Sequence, residues 1–420
     1  MKQKTAFDTS MKIKKPCPVL LVVEWIITLY YTIIGKGIRI TKHDCEGLKP
    51  PYLLLSNHAS MVDFPVALKA SFPHGPRWVI SIEEFVGREW LLRNVGGIYK
   101  RKFTADIKVV RHILDVLKRQ RGICVMYPEA RYSLAGVTER MSGGLGKLVK
   151  VAGVPVVVLT EHGNFLCEPQ WNKKPARHNP VTADMKLVVT AEETQTLSQE
   201  EILEKIQKAF EYDDYQWQAE NKIRIASKKR AQNIHRILYQ CPVCGKEHVM
   251  DSHGTELFCT ACKARWEMDE YGKLHRTNGN DIFTHVPDWY RWERQNVNKE
   301  VAGGTYFFQD QVRLEHLACS SKGFQAIGTV TLTHDQNGFT LDGVLDNGDP
   351  FLLHRDAKSM ESVHIEYDFY KRGVQKQGPA LDLTDGKETY FVFPLTRGNE
   401  LTKIHFATEA LHDQMSNKQE

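Results

Sequence analysis

His58 and Asp63 stand five positions apart, directly behind the apolar stretch Tyr52-Leu53-Leu54-Leu55-Ser56. An imidazole titrates near neutrality, and a carboxylate that accepts one ring N–H fixes the tautomer and leaves the other nitrogen free as a base. Such a pair can take the proton from a hydroxyl as that hydroxyl attacks. At about 3.6 residues per turn, positions five apart lie roughly 140° apart around a regular helix. The two side chains therefore meet only if His58 lies in the turn before a helix and Asp63 points back from its first turns. For the pair alone, a surface histidine near an unrelated acid is an equally good reading.

Three further segments follow in order. Gly96-Gly97-Ile98-Tyr99-Lys100-Arg101-Lys102 is a short strand ending in three cations. Residues Ile123 to Met126 form a buried strand that breaks at Pro128 and presents Glu129 and Arg131. Gly153-Val154-Pro155-Val156-Val157-Val158-Leu159 reads as a strand with proline at its start, where a missing donor does least harm.

Together with Asn57-His58-Ala59-Ser60-Met61-Val62-Asp63, these segments resemble the four-block signature of the glycerolipid acyltransferases, the lysophosphatidic acid acyltransferase family, over roughly residues 50–189. The resemblance implies an α/β glycerolipid-acyltransferase-type catalytic domain. It implies transfer of an acyl group from acyl-CoA or acyl-carrier protein to a lysophospholipid hydroxyl, 1-acyl-sn-glycerol-3-phosphate being the expected acceptor. Carried over by position, His58 is the catalytic base and Asp63 its orienting acid. Arg101 is the cation for the acceptor's phosphate, a role that a guanidinium fork suits. Glu129 is an acceptor-binding carboxylate, with Asn57, Lys100, Lys102 and Arg131 as further candidates for holding substrate. The third block departs from the pattern: Phe-Pro-Glu-Gly-Thr-Arg-Ser becomes Tyr127-Pro128-Glu129-Ala130-Arg131-Tyr132-Ser133. The glycine is lost and the arginine comes one residue early, so the resemblance carries the reaction class further than it carries the acceptor.

Other chemistries find little support. No Gly-x-Ser-x-Gly elbow supplies a serine nucleophile, and Cys124 sits inside an apolar run as a core residue would. The stretch Ser142-Gly143-Gly144-Leu145-Gly146-Lys147 lacks phosphate-loop spacing. It reads first as a flexible turn entering a helix over 148–152. Its amides and Lys147 are also candidates for an anionic headgroup or a CoA phosphate.

Cys241-Pro242-Val243-Cys244 and Cys259-Thr260-Ala261-Cys262 carry a second chemistry. Two Cys-x-x-Cys turns at this interval let four thiolates hold one ion tetrahedrally, and Gly245 permits the tight turn. The expectation is a small zinc ribbon with a structural Zn2+ on Cys241, Cys244, Cys259 and Cys262, its hairpin formed by 247–249 and 255–258. Iron is the minor alternative. The other five cysteines form no disulfide framework.

These residues need elements to position them. Strands are expected at 52–56, 77–81, 97–100, 123–127, 154–159 and 185–190, with a helix over 106–119 where apolar residues recur at helical spacing. Ser198-Gln199-Glu200-Glu201 is a capping box opening another helix. A chain of 420 residues, 42% hydrophobic and 25% charged, is long and apolar enough for about two to three ordinary globular cores. The net charge of +5 is concentrated at the start, where eight Lys/Arg in residues 1–45 face only Asp8, Glu24 and Asp44. They flank the apolar run Val19 to Ile34, which is too short to span a bilayer. It reads as an amphipathic helix lying in the membrane interface, or equally as one packed on the catalytic domain. The expected localisation is the cytoplasmic face of the membrane, peripheral or monotopic.

The expected organisation is 1–45 membrane-associating, 46–215 acyltransferase, 216–238 basic connector, 239–276 zinc ribbon, 277–300 linker and 301–420 β-rich. In the last part, short strands split by Asn337-Gly338, Asp346-Asn347-Gly348 and Asp385-Gly386 precede a helix over 400–414. This all-β domain reads as a pleckstrin-homology-like barrel or a sandwich. Two rival classes stay open: a non-catalytic lipid-binding or scaffold protein on the acyltransferase fold, and a zinc-ribbon nucleic-acid-binding protein. Against the second, the ribbon itself is not strongly basic.

Overall fold

The apolar runs of the first 190 residues assemble into a single sheet. The structure is a computed structural model that describes residues 7–35, 37–172, 180–370 and 376–417. Lys2, Lys4 and Lys36, part of the basic N-terminal count, lie outside the described residues.

The seven strands are β1 (Arg39–His43), β2 (Tyr52–Ser56), β3 (Arg77–Ser81), β4 (Gly97–Lys100), β5 (Ile123–Met126), β6 (Val156–His162) and β7 (Thr182–Val189). Their order is β1-β7-β6-β2-β5-β3-β4. All neighbours are parallel except β6 and β7. Strand β2 is central and wholly buried, as a parallel strand covered on both faces must be. Leu53 and Leu55 pack with helices Ile107–Leu114, Gly144–Ala152 and Gln199–Ala209, while Tyr52 and Leu54 pack with helix Asp63–Ser71 on the other face. Strand β1 was not expected, because only Ile40 among its five residues is even half-buried. The helix expected over 106–119 is α-helical only to Leu114 and ends in a π-turn, Asp115–Arg119. The capping box forms as read: Ser198 Oγ accepts from Glu201 N at 3.1 Å, and Ser198 N donates to Glu201 Oε2 at 2.7 Å.

Helix Pro18–Tyr30 is turned inside out. Glu24 and Thr28 are its buried residues, and Trp25 lies edge-on to Phe72 at 5.3 Å. Val19, Val22, Val23, Ile26, Leu29 and Ile33 face outward. Burial raises the Glu24 carboxyl to about 7, so an essentially neutral acid faces the protein below that pH. Among the described residues no helix is long and apolar enough to cross a membrane.

The four cysteines sit beside a small antiparallel sheet of β8 (Met250–His253), β9 (Glu256–Cys259), β10 (Arg265–Met268) and β11 (Leu274–Arg276). The hairpin pairs 250–253 with 256–259, so residues 247–249 precede it rather than forming its first strand. The segment 277–300, expected as a linker, is largely the helix Val286–Ala302. Trp289 and Tyr290 of that helix are buried, and Trp289 meets Trp266 of β10 at 5.0 Å. The connector 216–238 likewise begins in helix Asp214–Glu220 and buries Ile225, Ile234 and Ile237.

The last domain is an antiparallel sheet of β12 (Phe308–Cys319), β13 (Gly323–Asp335), β14 (Gly338–Val344), β15 (Pro350–Asp356), β16 (His364–Tyr370), β17 (Lys376–Thr384) and β18 (Thr389–Pro394). The order is β15-β14-β13-β12-β18-β17-β16, followed by helix Leu401–Asn417. Strand β12 is long because the chain continues extended through Gln309 and Asp310 in register with β13. This domain packs on the sheet of the first. Leu317 joins Ile82, Phe85 and Tyr99 in one apolar cluster, and Gly87 N donates to Ser320 O at 3.0 Å.

Gly146 lies where helices Gly144–Ala152 and Gln199–Ala209 touch. A Cβ there would stand 2.2 Å from the Gln199 carbonyl oxygen. The glycine of the Ser142–Lys147 stretch is thus required by helix packing. Gly146→Ala is expected to cost about 1–3 kcal/mol of stability through overpacking, measured as a lowered urea midpoint with unchanged slope.

Candidate active site and metal centre

The parallel strands β2, β4, β5 and β6 end on the same side of the sheet. Open parallel sheets place ligands at this end. His58 follows β2 by two residues, and Asp63 is the first residue of helix Asp63–Ser71. His58 Nδ1 lies 2.8 Å from Asp63 Oδ2. The two side chains meet because the chain turns between them and the carboxylate reaches back over the helix start.

Asp63 is fully buried yet well supplied with donors. Its Oδ2 also accepts from Ala59 N at 2.7 Å and Ser60 N at 3.1 Å, and its Oδ1 accepts from Asn164 Nδ2 at 3.0 Å. With Nδ1–H donated to Asp63, Nε2 is left as the proton acceptor. The His58 side chain is 22% exposed, open enough for a substrate oxygen. Tyr127 and Tyr132 stack on its two faces with centroids 4.0 Å away. The ring is therefore fixed in plane and reachable only along an edge.

Asn164 was not singled out in the sequence. It lies in a turn after β6 held by Asp214, whose carboxyl accepts from Gly163 N at 2.5 Å and Leu166 N at 3.1 Å. No motif marks it, since its partner is 101 positions away. The tyrosines were visible only as neighbours of Glu129. Glu161, also unforeseen, is pushed well above the carboxylate range by burial and by the neighbouring Asp63 charge. The Ser56 hydroxyl lies 2.9 Å from both Glu161 Oε1 and Leu159 O, as a donor shared between them.

The other expected site residues divide. Asn57 is buried and stitches β2 to β6, its Nδ2 donating to Glu161 O at 2.9 Å and its Oδ1 accepting from Glu161 N at 2.7 Å. Its amide holds the framework rather than a substrate. Glu129 is buried beside His58, accepting from His58 N at 3.4 Å and Glu139 N at 3.0 Å. Burial pushes its carboxyl up to about 8. Lys100 donates to Thr104 O, and Lys102 pairs with Glu83. Arg101 Nε is buried with no hydrogen-bond partner among the described residues, and burial holds the guanidinium's pKa below the usual value against the opposing pull of the Glu388, Asp106, Asp385 and Asp382 carboxylates. Lys147 is exposed on the helix Gly144–Ala152, across the sheet from helix Asp63–Ser71.

Arg131 corrects the sequence reading most clearly. Its side chain is 2% exposed and points away from His58 into the last domain. There it meets Ser362, His405 and Glu409 as well as Glu139. Ala130, where the family pattern has glycine, keeps a glycine-like backbone at φ 56°. Tyr132 occupies the position of the pattern's arginine.

The four cysteine sulfurs all lie within 4.8 Å of one another, with Cys241 to Cys262 at 3.6 Å and Cys244 to Cys259 at 3.9 Å. A tetrahedral ion with metal–sulfur bonds of about 2.3 Å needs sulfurs about 3.8 Å apart, so the donor set fits. The two turns match in form, each closed by a residue in the left-handed region, Gly245 at φ 72° and Lys263 at φ 66°. Cys262 N points at Cys259 Sγ at 3.4 Å.

Residues 39–160 match the acyltransferase family model. Comparison with curated proteins finds no match. Among solved structures, the chain is similar to the 1-acyl-sn-glycerophosphate (LPA) acyltransferase PlsC from Thermotoga maritima, with a TM-score of 0.35 and 15% identity. That likeness covers 46% of this chain and 77% of the other. Residues 39–160 thus form an acyltransferase-family domain. His58, Asp63, Arg101 and Glu129 all fall within it.

Elemental analysis is expected to return one divalent ion per chain, held by the four thiolates. Chelation or Cys259→Ser should red-shift tryptophan fluorescence as Trp266 becomes solvated, since a small metal module draws its folding energy from the ion. A metal-free protein with unchanged fluorescence would contradict the assignment.

Proposed function

We propose that this chain is an O-acyltransferase that moves a fatty acyl group from a thioester, acyl-CoA or acyl-carrier protein, to the hydroxyl of a lysophospholipid, 1-acyl-sn-glycerol-3-phosphate being the first candidate. The observation that carries this reading is the His58–Asp63 pair, 2.8 Å apart at the open end of a parallel sheet, inside the stretch matching the acyltransferase family. His58 Nε2 takes the proton from the acceptor hydroxyl as its oxygen bonds to the thioester carbonyl carbon. The tetrahedral adduct collapses, the carbon–sulfur bond breaks, and the imidazolium returns its proton to the leaving thiolate. No covalent enzyme intermediate is required. Arg101, whose buried Nε has no hydrogen-bond partner among the described residues, is the candidate cation for the acceptor's phosphate.

The metal in the four-cysteine centre is read as structural Zn2+, because sulfur donors favour it and no fifth ligand is called for. Thiolate ligands also suit the reducing cytoplasmic side of a membrane. The seven-strand order with its terminal helix supports the pleckstrin-homology-like reading of the last domain. The outward apolar face of helix Pro18–Tyr30 supports peripheral attachment to the membrane that holds the acceptor.

His58→Ala is expected to lower kcat by about 10²–10⁴-fold, assayed as thioester consumption with lysophosphatidic acid in protein that melts like the parent. Full turnover by a folded His58→Ala variant would refute this mechanism. Separately, Ile26→Glu should reduce co-sedimentation with anionic phospholipid vesicles by about tenfold or more, since burying one large aliphatic side chain is worth about 1.5–3 kcal/mol. Unchanged sedimentation would remove the helix from the membrane contact.

A further inference from the structure

The loop 127–139 grips His58 from four directions. Tyr127 and Tyr132 stack on the ring, Glu129 accepts from its backbone N–H, and Ser133 N donates to its carbonyl at 2.7 Å. Arg131 sits in the middle of this loop with its side chain turned to the opposite side. Its Nη1 donates to Ser362 Oγ at 2.6 Å and His405 Nδ1 at 2.9 Å, and its Nη2 to Glu139 Oε2 and Glu409 Oε1, both at 2.9 Å. His405 is fully buried and held well below the ordinary histidine range, so its neutral ring can accept. Arg294 closes the cluster against Glu409, and its Nη2 stands 3.5 Å from Glu139 Oε2.

Two guanidinium groups and two carboxylates thus balance one another, drawn from the loop beside His58, the helix Val286–Ala302 and the helix Leu401–Asn417. From Glu409 the connection to the base is short. Glu409 holds Arg131, Arg131 holds Glu139, Glu139 N donates to Glu129, and Glu129 accepts from His58 N. Removing the Glu409 charge leaves Arg131 and Arg294 facing Glu139 alone, and the loop carrying both tyrosines must adjust. A misplacement of about 1 Å at a reacting group can cost 10²-fold in rate.

We propose that Arg131 and Glu139 are positioning residues through which the C-terminal domain sets the geometry of the His58 site, so that the acyltransferase domain turns over only with that domain docked. The kinetic consequence rests on the acyltransferase reading above; the structural coupling does not. The ion pair Arg236–Asp368, 2.9 Å, also fastens the last domain, and serves as the control.

The test uses the full chain with Glu409→Gln, Arg131→Lys, Ser362→Ala and Arg236→Met. Two readouts are taken: kcat and KM with acyl-CoA and 1-acyl-sn-glycerol-3-phosphate, and the rate of His58 carbethoxylation by diethyl pyrocarbonate, followed by peptide mass spectrometry. Glu409→Gln and Arg131→Lys should lower kcat by about tenfold or more, leave both KM values within about threefold, and speed carbethoxylation by about fivefold. Ser362→Ala, the mildest change, should shift the carbethoxylation rate in the same direction. Arg236→Met should lower the melting temperature and leave kcat and carbethoxylation at parental values. Parental His58 reactivity in Ser362→Ala and in the folded cluster variants overturns the proposal, as does an Arg236→Met protein that reproduces their effects. Absence of acyl transfer by the unaltered protein would refute the enzymatic reading alone, with carbethoxylation still deciding the coupling.

Discussion

The buried Asp63 carboxylate and the ring N–H it accepts from His58 are what the remainder of the site is arranged to maintain. An isolated carboxylate in a dry interior is costly, and it is kept only where donors replace the lost water. Asp63 is given three N–H groups besides the imidazole, two from the backbone turn before its own helix and one from Asn164. Charge-assisted hydrogen bonds are worth about 1.5–3 kcal/mol each, so this supply is comparable with the desolvation it opposes. The helix start adds a favourable dipole. The Asn57 stitch keeps β2 against β6, and Asp214 holds the turn that carries the distant donor, Asn164.

The altered third block becomes intelligible through packing. Ala130 keeps the left-handed backbone that glycine would adopt freely, a strain of about 1–2 kcal/mol for an L-residue. Retaining that turn sends the next side chain, Arg131, inward to the last domain and brings Tyr132 onto the His58 ring. A buried, balanced ion cluster adds little net stability against an apolar replacement, but deleting one partner typically costs about 3–5 kcal/mol. The cluster therefore specifies how the domains dock more than how tightly. The same loop carries Glu129, so docking and catalytic geometry share one segment of chain.

Local physics made much of this legible in the sequence. Six of the seven strands of the first sheet announce themselves as apolar runs, Ser198 and Glu201 cap their helix as the spacing requires, and the paired Cys-x-x-Cys turns converge as four donors should. The requirement that Asp63 reach back from a helix start followed from the five-residue interval alone. What was hidden is non-local. Arg131 finds partners 231 to 278 positions away, and no spacing rule connects them. Arg131 instead looked like a substrate cation, because exposed and buried arginines are identical in sequence. Strand β1 was hidden for the opposite reason, an edge position that leaves Arg39, Thr41, Lys42 and His43 largely in solvent.

The most direct test of the central claim is the tautomer of the neutral His58 ring, read by long-range ¹H–¹⁵N correlation of the imidazole nitrogens in the unaltered protein. The hydrogen bond to Asp63 requires the proton on Nδ1 and a bare Nε2. A neutral ring protonated at Nε2 would mean that Asp63 does not orient the base, and the account of this site would be wrong.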